Sequence, residues 1–269
     1  MRPFFSFFGL AVPAFFIMIV LAALVSFGLI LAGTRKSGRL DAVYYFVVIL
    51  CGAFVGAWLL HTLINLPRII NAWQIIRVTM PLSDALEYAF LQFSGMIFYG
   101  GLLGGVVAMF AYSKHFNVPL LPFMDLFAPI LLVAHAIGRL GCFFAGCCYG
   151  VVVDSGFVFA IIYPPESLAA PSGLPLLAVP LVEAVLNLVL ACGIFLFKRF
   201  RRSTQPGYLT VIYLLAYPAM RFILEFFRGD GVRGIFMGVS TSQWISMMLF
   251  STGIVLLLRL QYISNKQGS

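Results

Sequence analysis

The sequence predicts an all-α, polytopic membrane bundle of about seven transmembrane helices, with the N-terminus outside and the C-terminus cytoplasmic. Three observations carry that prediction. Hydrophobic residues make up 62% of the chain and charged ones 10%, against roughly a quarter charged in a soluble domain. Mean hydropathy is +1.05. Apolar runs near the ~20 residues that cross a hydrocarbon core recur from end to end. A water-soluble core cannot absorb that much apolar surface in 269 residues, so lipid must solvate much of it.

The candidate spans are 7–32, 42–66, 93–113, 121–144, 176–198, 207–225 and 241–261. The third and fourth are interrupted by glycine and proline. Broken backbone at membrane depth is tolerated only where protein or a wet cavity covers it, so these breaks point to a cavity. The first run is too long for a cleavable signal peptide, and no polar cleavage region follows it.

Orientation follows the loop cations. With the N-terminus outside, the inner segments hold Arg35, Lys36, Arg39, Lys114, Lys198, Arg199, Arg201, Arg202, Arg259 and Lys266. The outer segments hold only Arg2, Arg68, Arg77, Arg228 and Arg233. The net charge of +8 is therefore a signature of membrane orientation, and nucleic acid is not an expected partner.

Segment 67–92 is too polar to span and reads as an outer-face interfacial or re-entrant helix pair, with Trp73 and Tyr88 at headgroup level. Segment 145–175, rich in Gly, Pro and Ser, reads as an outer loop. Without repeats or low-complexity tracts, residues 1–269 form one integral membrane domain.

Ionisable groups inside spans cost about 2.5–3.5 kcal/mol on insertion scales and so face the bundle or a cavity. Arg139 lies in HAIGRLGCFFAGCCYG between Gly138 and Gly141, small neighbours that let a ligand or backbone approach. Arg221 lies in YPAMRFILEFFRG, four residues before Glu225. That pair reads either as an i,i+4 ion pair closed on itself or as Arg221 aimed into a cavity and oriented by Glu225. Arginine offers a planar fork of donors that suits phosphate, so two converging arginines would clamp a phosphate. Glu183, in AVPLVEAVLNL, reads equally as a snorkelling carboxylate or a site residue. Asp125, near the start of its span, reads as a helix N-terminal carboxylate favoured by the dipole.

The run FYGGLLGG contains Tyr99, Gly100 and Gly101. Alone, it could be close helix packing, and Tyr99 an interface anchor. His61, His115 and His135 form no metal-binding spacing, so neither metal nor cofactor is expected. Cys51 and Cys192 fall in apolar runs, as small buried hydrophobes do. Cys142, Cys147 and Cys148 lie together. They could be small packing residues, a disulfide from Cys142 to one of the others, or a reactive thiol activated by Arg139. Zinc would need a fourth ligand such as His135.

Several stretches, in order, resemble the prolipoprotein diacylglyceryl transferase family. GMIFYGGLLGG (95–105) is similar to its GMSFHGGLIGG-type run, and AIGRLGCFFAGCCYG (136–150) to its GRLGNFINGExxG signature. VPLVEAVLN (179–187) resembles a PSQLYE-type segment, AYPAMRFILEFFR (216–228) a YGxxRxxxEFFR segment, SQWIS (242–246) a GQxLS segment, and SFFGL (6–10) a WYGL opening. The resemblance implies a bacterial inner-membrane enzyme that moves a diacylglyceryl group from phosphatidylglycerol to a lipoprotein-precursor cysteine at its signal peptide. Besides membrane lipids, its partners would be that anionic phospholipid and the precursor. By matching position it implies catalytic roles for Arg139, Arg221 and Tyr99. Substrate contacts would fall to Gly100, Gly101, Gly138, Gly141, Cys142, Glu183, Tyr217, Glu225, Arg228 and Gln243, with a thiol site at Cys147 and Cys148.

Tyr99 stands where the family has a histidine. Cys142, Ala145 and Cys147 replace two asparagines and a glutamate, and Trp58 or a neighbour replaces an arginine of the second span. These departures leave open a paralogue with another lipid donor or acceptor. A membrane thiol redox protein using Cys142, Cys147 and Cys148 and a transporter without covalent chemistry are further alternatives.

Overall fold

The computed structural model describes residues 3–7, 10–34, 38–79, 81, 84, 97–201, 205–230 and 234–268. Arg2, Arg35, Lys36, Tyr88, Arg202 and Arg233, and the side chains of Arg68 and Arg77, lie outside the described residues, as do parts of the stretches at 6–10 and 95–105. The described residues contain seven α-helices: α1 Ala14–Gly33, α2 Arg39–Thr79, α3 Phe98–Phe116, α4 Leu120–Ala145, α5 Val179–Phe200, α6 Tyr208–Leu224 and α7 Thr241–Gly268. All but α3 are long and apolar enough to cross a membrane by themselves. Protein buries only 11% of the most apolar stretch of α2 and 39% of that of α4, which leaves lipid to cover the rest.

Among the described residues three short antiparallel strand pairs depart from an all-helical chain, and all lie outside the six helices apolar enough to span. The helices therefore begin later than the expected spans 7–32 and 176–198, at Ala14 and Val179. β1 (Phe4–Phe7) pairs with β2 (Leu10–Pro13), β3 (Ala160–Ile162) with β4 (Pro175–Leu177), and β5 (Ile235–Phe236) with β6 (Val239–Ser240). Open strand edges are tolerated there because water or headgroups can satisfy them. The segment after 67 is not the start of a separate helix pair as far as it is described. Instead α2 continues through Pro67 to Thr79. Proline removes one backbone donor, and Asn65 Nδ2 donates to the His61 carbonyl at 3.0 Å just before it.

The chain forms two compact units. One comprises Thr34–Leu120, and the other comprises Met1–Gly33 together with Leu121–Ser269. In the first, α2 and α3 meet along facing glycines. A Cβ on Gly56 would run into the Gly100 carbonyl oxygen, and one on Gly104 into that of Gly52. The spacing is Gly-x-x-x-Gly on both helices, the pattern that lets membrane helices approach backbone to backbone. α3 closes on Asn117 with φ 53°, whose N–H reaches the Ser113 carbonyl. Lys114 and His115 sit in its last turn, where cations complement the helix dipole.

In the other unit, Asp125 is indeed a helix N-terminal carboxylate, but for α6 and not for its own helix. It accepts from Gly207 N–H at 2.7 Å, Thr210 N–H at 2.8 Å and the Thr210 hydroxyl at 2.7 Å. Gly207 has φ 99° and no side chain to cap with, so the cap comes from α4. A capping box opens α7, with Ser240 N–H donating to Gln243 Oε1 at 3.0 Å and Gln243 N–H to Ser240 Oγ at 3.2 Å.

The outer loop is tied to the helix ends. Gly150 N–H donates to the Leu177 carbonyl at 2.8 Å, Val151 N–H to that of Phe227 at 3.0 Å, and Gly229 N–H to that of Tyr149 at 3.1 Å. Cys51 and Cys192 are exposed, not buried. In a membrane helix an apolar position is as apt to face lipid as protein, and sequence alone does not say which.

Candidate active site

Four helix ends build one polar cluster. The last turns of α4 supply His135 and Arg139, and the first turns of α5 supply Glu183 and Asn187. The end of α6 and its following 3-10 turn (Glu225–Phe227) supply Tyr217, Arg221 and Glu225. The first turns of α7 supply Ser242 and Ser246. The helical spacings explain the grouping: 135/139, 183/187, 217/221 and 242/246 are i,i+4 pairs, so each helix presents both of its members on one face.

Glu183 is the centre. Its Oε1 lies 3.0 Å from Arg139 Nε and 3.8 Å from Arg221 Nε, and the residue is 1% exposed. Both guanidiniums therefore reach one carboxylate from two other helices. Arg221 also pairs with Glu225, Nη2 to Oε2 at 2.8 Å, and donates from Nη2 to the Ser242 hydroxyl at 3.1 Å. The i,i+4 pair thus forms, and Arg221 reaches beyond it. Two arginines and two carboxylates make the cluster electroneutral as it stands. Glu183 Oε2, Arg221 Nη1 and both polar atoms of Asn187 are buried without a hydrogen-bond partner among the described residues. Buried groups of this kind carry a desolvation cost unless a partner satisfies them.

Arg139 is the outer member, its side chain 23% exposed, while Arg221 is 7% exposed. His135 packs against the Tyr217 ring at 5.2 Å, and Tyr217 stacks on Tyr213 at 5.4 Å. A hollow of about 350 Å³ opens elsewhere, over Tyr149–Val152, Pro171, Leu174, Leu176 and Gly229. Neither arginine lines it, and the space between them is occupied by the Glu183 carboxylate.

Just beyond α4 the chain turns sharply. Gly146 and Cys148 adopt φ 68° and 60°, and a Cβ on Gly146 would run against Ser167. This turn brings the sulfurs of Cys142, Cys147 and Cys148 within 4.8 Å of one another, all three as free thiols. Arg139 Nη1 lies 3.9 Å from Cys148 Sγ. Hydrogen bonds from the Cys142 and Cys147 thiols, with the Arg228 charge behind them, hold the Cys148 thiol well below the ordinary thiol range. Donating those bonds pushes Cys147 far up. Burial and the neighbouring thiols raise the Tyr163 phenol to about 12.

The remaining expected residues lie as follows. Arg228 has its fork held by Asp230, Nε to Oδ1 at 3.1 Å and Nη2 to Oδ2 at 2.9 Å. Gln243 forms the α7 capping box. Gly141 packs against α1, where its Cβ would meet Met18 Cβ at 3.0 Å, whereas Gly138 faces open space. Tyr99, Gly100 and Gly101 belong to the first turns of α3 in the other unit, Gly100 pressed on Gly56 and Gly101 beside the Ala53 carbonyl. Sequence reasoning missed Asn187, Ser242 and Ser246. The i+4 spacing of Asn187 from Glu183 was the available signal for the first.

Fold and site together define the class: a multi-pass membrane protein with a buried cluster of two arginines and two carboxylates at the ends of four helices. Comparison with known proteins supplies the family. The prolipoprotein diacylglyceryl transferase family matches residues 2–259, and the chain belongs to it. It is 30% identical over 254 residues to a phosphatidylglycerol–prolipoprotein diacylglyceryl transferase of Clostridium tetani, covering 93% of this chain and 94% of that protein. A second protein of that name from Clostridium perfringens is 36% identical over 165 residues, 61% of each chain. One from Streptococcus pneumoniae is 30% identical over 169 residues, again 61% of each.

Proposed function

We propose that this protein transfers a diacylglyceryl group from phosphatidylglycerol to the cysteine thiol of a lipoprotein precursor, next to its signal peptide. The reaction takes place at the outer face of a bacterial cytoplasmic (inner) membrane. The observation that carries this reading is the meeting of Arg139 and Arg221 on Glu183. Seven crossings put the N-terminus outside and the C-terminus inside. The cations in the last turns of α3, α5 and α7 (Lys114; Lys198 and Arg199; Lys266) then all face the cytoplasm, in keeping with the positive-inside rule. The arginine cluster lies at the opposite, outer helix ends.

The chemistry follows from the charges. An ordinary thiol titrates near ~8.5, so the acceptor needs a base. Glu183 takes the thiol proton. The thiolate attacks the glycerol carbon bonded to the phosphate oxygen, that C–O bond breaks, and its electron pair stays on the departing glycerol phosphate. Protonation of Glu183 turns the neutral cluster into one of net positive charge at the moment the leaving group becomes more anionic. Arg139 and Arg221 are then free to hold the phosphate oxygens, preorganised donors aimed at developing charge. The proton passes from Glu183 to the product glycerol phosphate. On the resemblance alone, Tyr99 is assigned to polarise the phosphate or the thiol, and Tyr99→Phe is expected to slow transfer about 10²-fold, the low end of acid–base contributions.

The test uses purified protein, phosphatidylglycerol vesicles and a precursor peptide with a single cysteine. Mass spectrometry should find a diacylglyceryl adduct on that cysteine together with free glycerol phosphate. Vesicles of phosphatidylethanolamine alone should give neither. Lipid turnover without an adduct, or an adduct independent of the anionic lipid, would overturn the reading.

A further inference from the structure

We propose that Cys142, Cys147 and Cys148 form a three-thiolate site for a soft d10 metal ion such as zinc, with a fourth position open to the incoming acceptor thiol. The second half of this inference rests on the transferase reading, and the first does not.

The geometry points to a metal in three ways. Neighbouring residues in extended chain direct their side chains to opposite faces, yet Cys147 and Cys148 both direct their sulfurs to Cys142. The left-handed turn at Cys148, φ 60°, produces this, and such a conformation is uncommon outside glycine. The turn is pinned by Cys147 N–H on the Cys142 carbonyl at 3.1 Å and by Ala170 N–H on the Gly146 carbonyl at 2.9 Å. The mutual sulfur separation of at most 4.8 Å is about an ångström from the ~3.8 Å edge of a tetrahedron with Zn–S bonds near 2.3 Å. A disulfide would engage only two of the three sulfurs, and the vicinal pair bridges only with strained geometry.

Charge is consistent as well. A dipositive ion with three thiolates carries a net −1, and two guanidiniums neighbour it: Arg139, 3.9 Å from Cys148 Sγ, and Arg228, whose charge acts on the same sulfur while its fork is held by Asp230. Cys142 is buried while Cys147 and Cys148 are half-buried. The cluster is therefore walled on one side and approachable on another, which is the form of an open three-ligand site rather than a closed structural one.

The arrangement also suits the reaction. A thiol that coordinates zinc does so as the thiolate. The acceptor thiol would give its proton to Glu183 and bind the metal through sulfur. That sulfur then donates its electron pair to the glycerol carbon, the C–O bond breaks onto the phosphate oxygen, and the proton leaves with glycerol phosphate. The metal keeps its oxidation state, so no oxidant or reductant enters. The thioether product, having no negative charge, is a poor ligand and leaves.

The experiment starts with full-length protein purified with reductant and zinc, then measured for metal by mass spectrometry. We expect about one zinc per chain, and about a tenfold lower content in Cys142→Ser, Cys147→Ser or Cys148→Ser, with Cys51→Ser and Cys192→Ser unchanged. Because a variant can fail to fold, cobalt(II) replaces zinc in the wild-type protein. A sulfur-to-cobalt charge-transfer band with tetrahedral d–d absorption is expected. Absence of bound zinc together with absence of that band overturns the site. So does a disulfide between Cys142 and either neighbour in protein that holds no metal.

Transfer to the precursor peptide is then followed with and without a zinc chelator. Loss of transfer that added zinc restores supports the thiol-activating role, and unchanged transfer in zinc-free protein overturns it. Stoichiometric zinc in a protein that modifies no peptide upholds the metal site and refutes the transferase reading.

Discussion

Between α2 and α3 the chain removes side chains, whereas between α4, α5, α6 and α7 it buries charged ones. Both devices hold helices together in a solvent where apolar burial offers little drive, since lipid tails are as apolar as leucine. The glycine seam works by contact. With Gly52, Gly56, Gly100 and Gly104 backbone to backbone, it has a single geometry and nothing to titrate or exchange. The polar cluster works by charge. Its ion pairs are costly to bury and gain little net stability, but they can be rearranged by one proton or one anion. A packed seam is therefore suited to rigidity and a charged cluster to chemistry, and the protein keeps the two on different helices.

Mutations sharpen that contrast, beginning with the largest effect. Arg139→Ala should lower transfer by about 10²–10³-fold, the loss typical of one preorganised anion donor, while the protein still inserts; the peptide-adduct assay reads it. Wild-type-like turnover would end the clamp. Glu183→Gln should lower transfer by about 10²-fold or more. It should also destabilise the protein by ~3–5 kcal/mol, because it leaves two buried guanidiniums without their shared carboxylate; thermal unfolding in detergent measures this. A stable but inactive Glu183→Gln would mean the carboxylate is a base and not a structural counterion.

In the seam, Gly104→Val should cost ~1–3 kcal/mol by overpacking and leave transfer per folded molecule unchanged. A drop in transfer per folded molecule would show that the seam is not merely structural. Smallest is Asp125→Ala, with a loss of ~0.5–2 kcal/mol expected to appear first as faster amide exchange at Gly207 and Thr210.

The spans were legible because crossing a membrane is a matter of consecutive apolar length, a one-dimensional property. The expected 121–144, 176–198 and 207–225 fall within three residues of α4, α5 and α6 at either end. The continuation of α2 past Pro67 was not legible, because polarity marks where a helix leaves lipid rather than where it ends. The capping box of Ser240 and Gln243 was legible in principle, from Ser-x-x-Gln ahead of an apolar run, but a binding role inferred from resemblance obscured it. Asp125 showed its purpose, a carboxylate for helix N–H groups, without showing which helix.

By itself the sequence determined that this protein lives in lipid, that it spans it as a bundle of several helices, and which charges must be shielded there. Each of those follows from the transfer cost of a residue whatever its neighbours. Only the tertiary structure decided that Arg139 and Arg221 share Glu183, that Ser242 meets Arg221, and that three cysteines converge on one point. Those partners come from different helices, and which faces meet depends on packing rather than on the chemistry of any single segment.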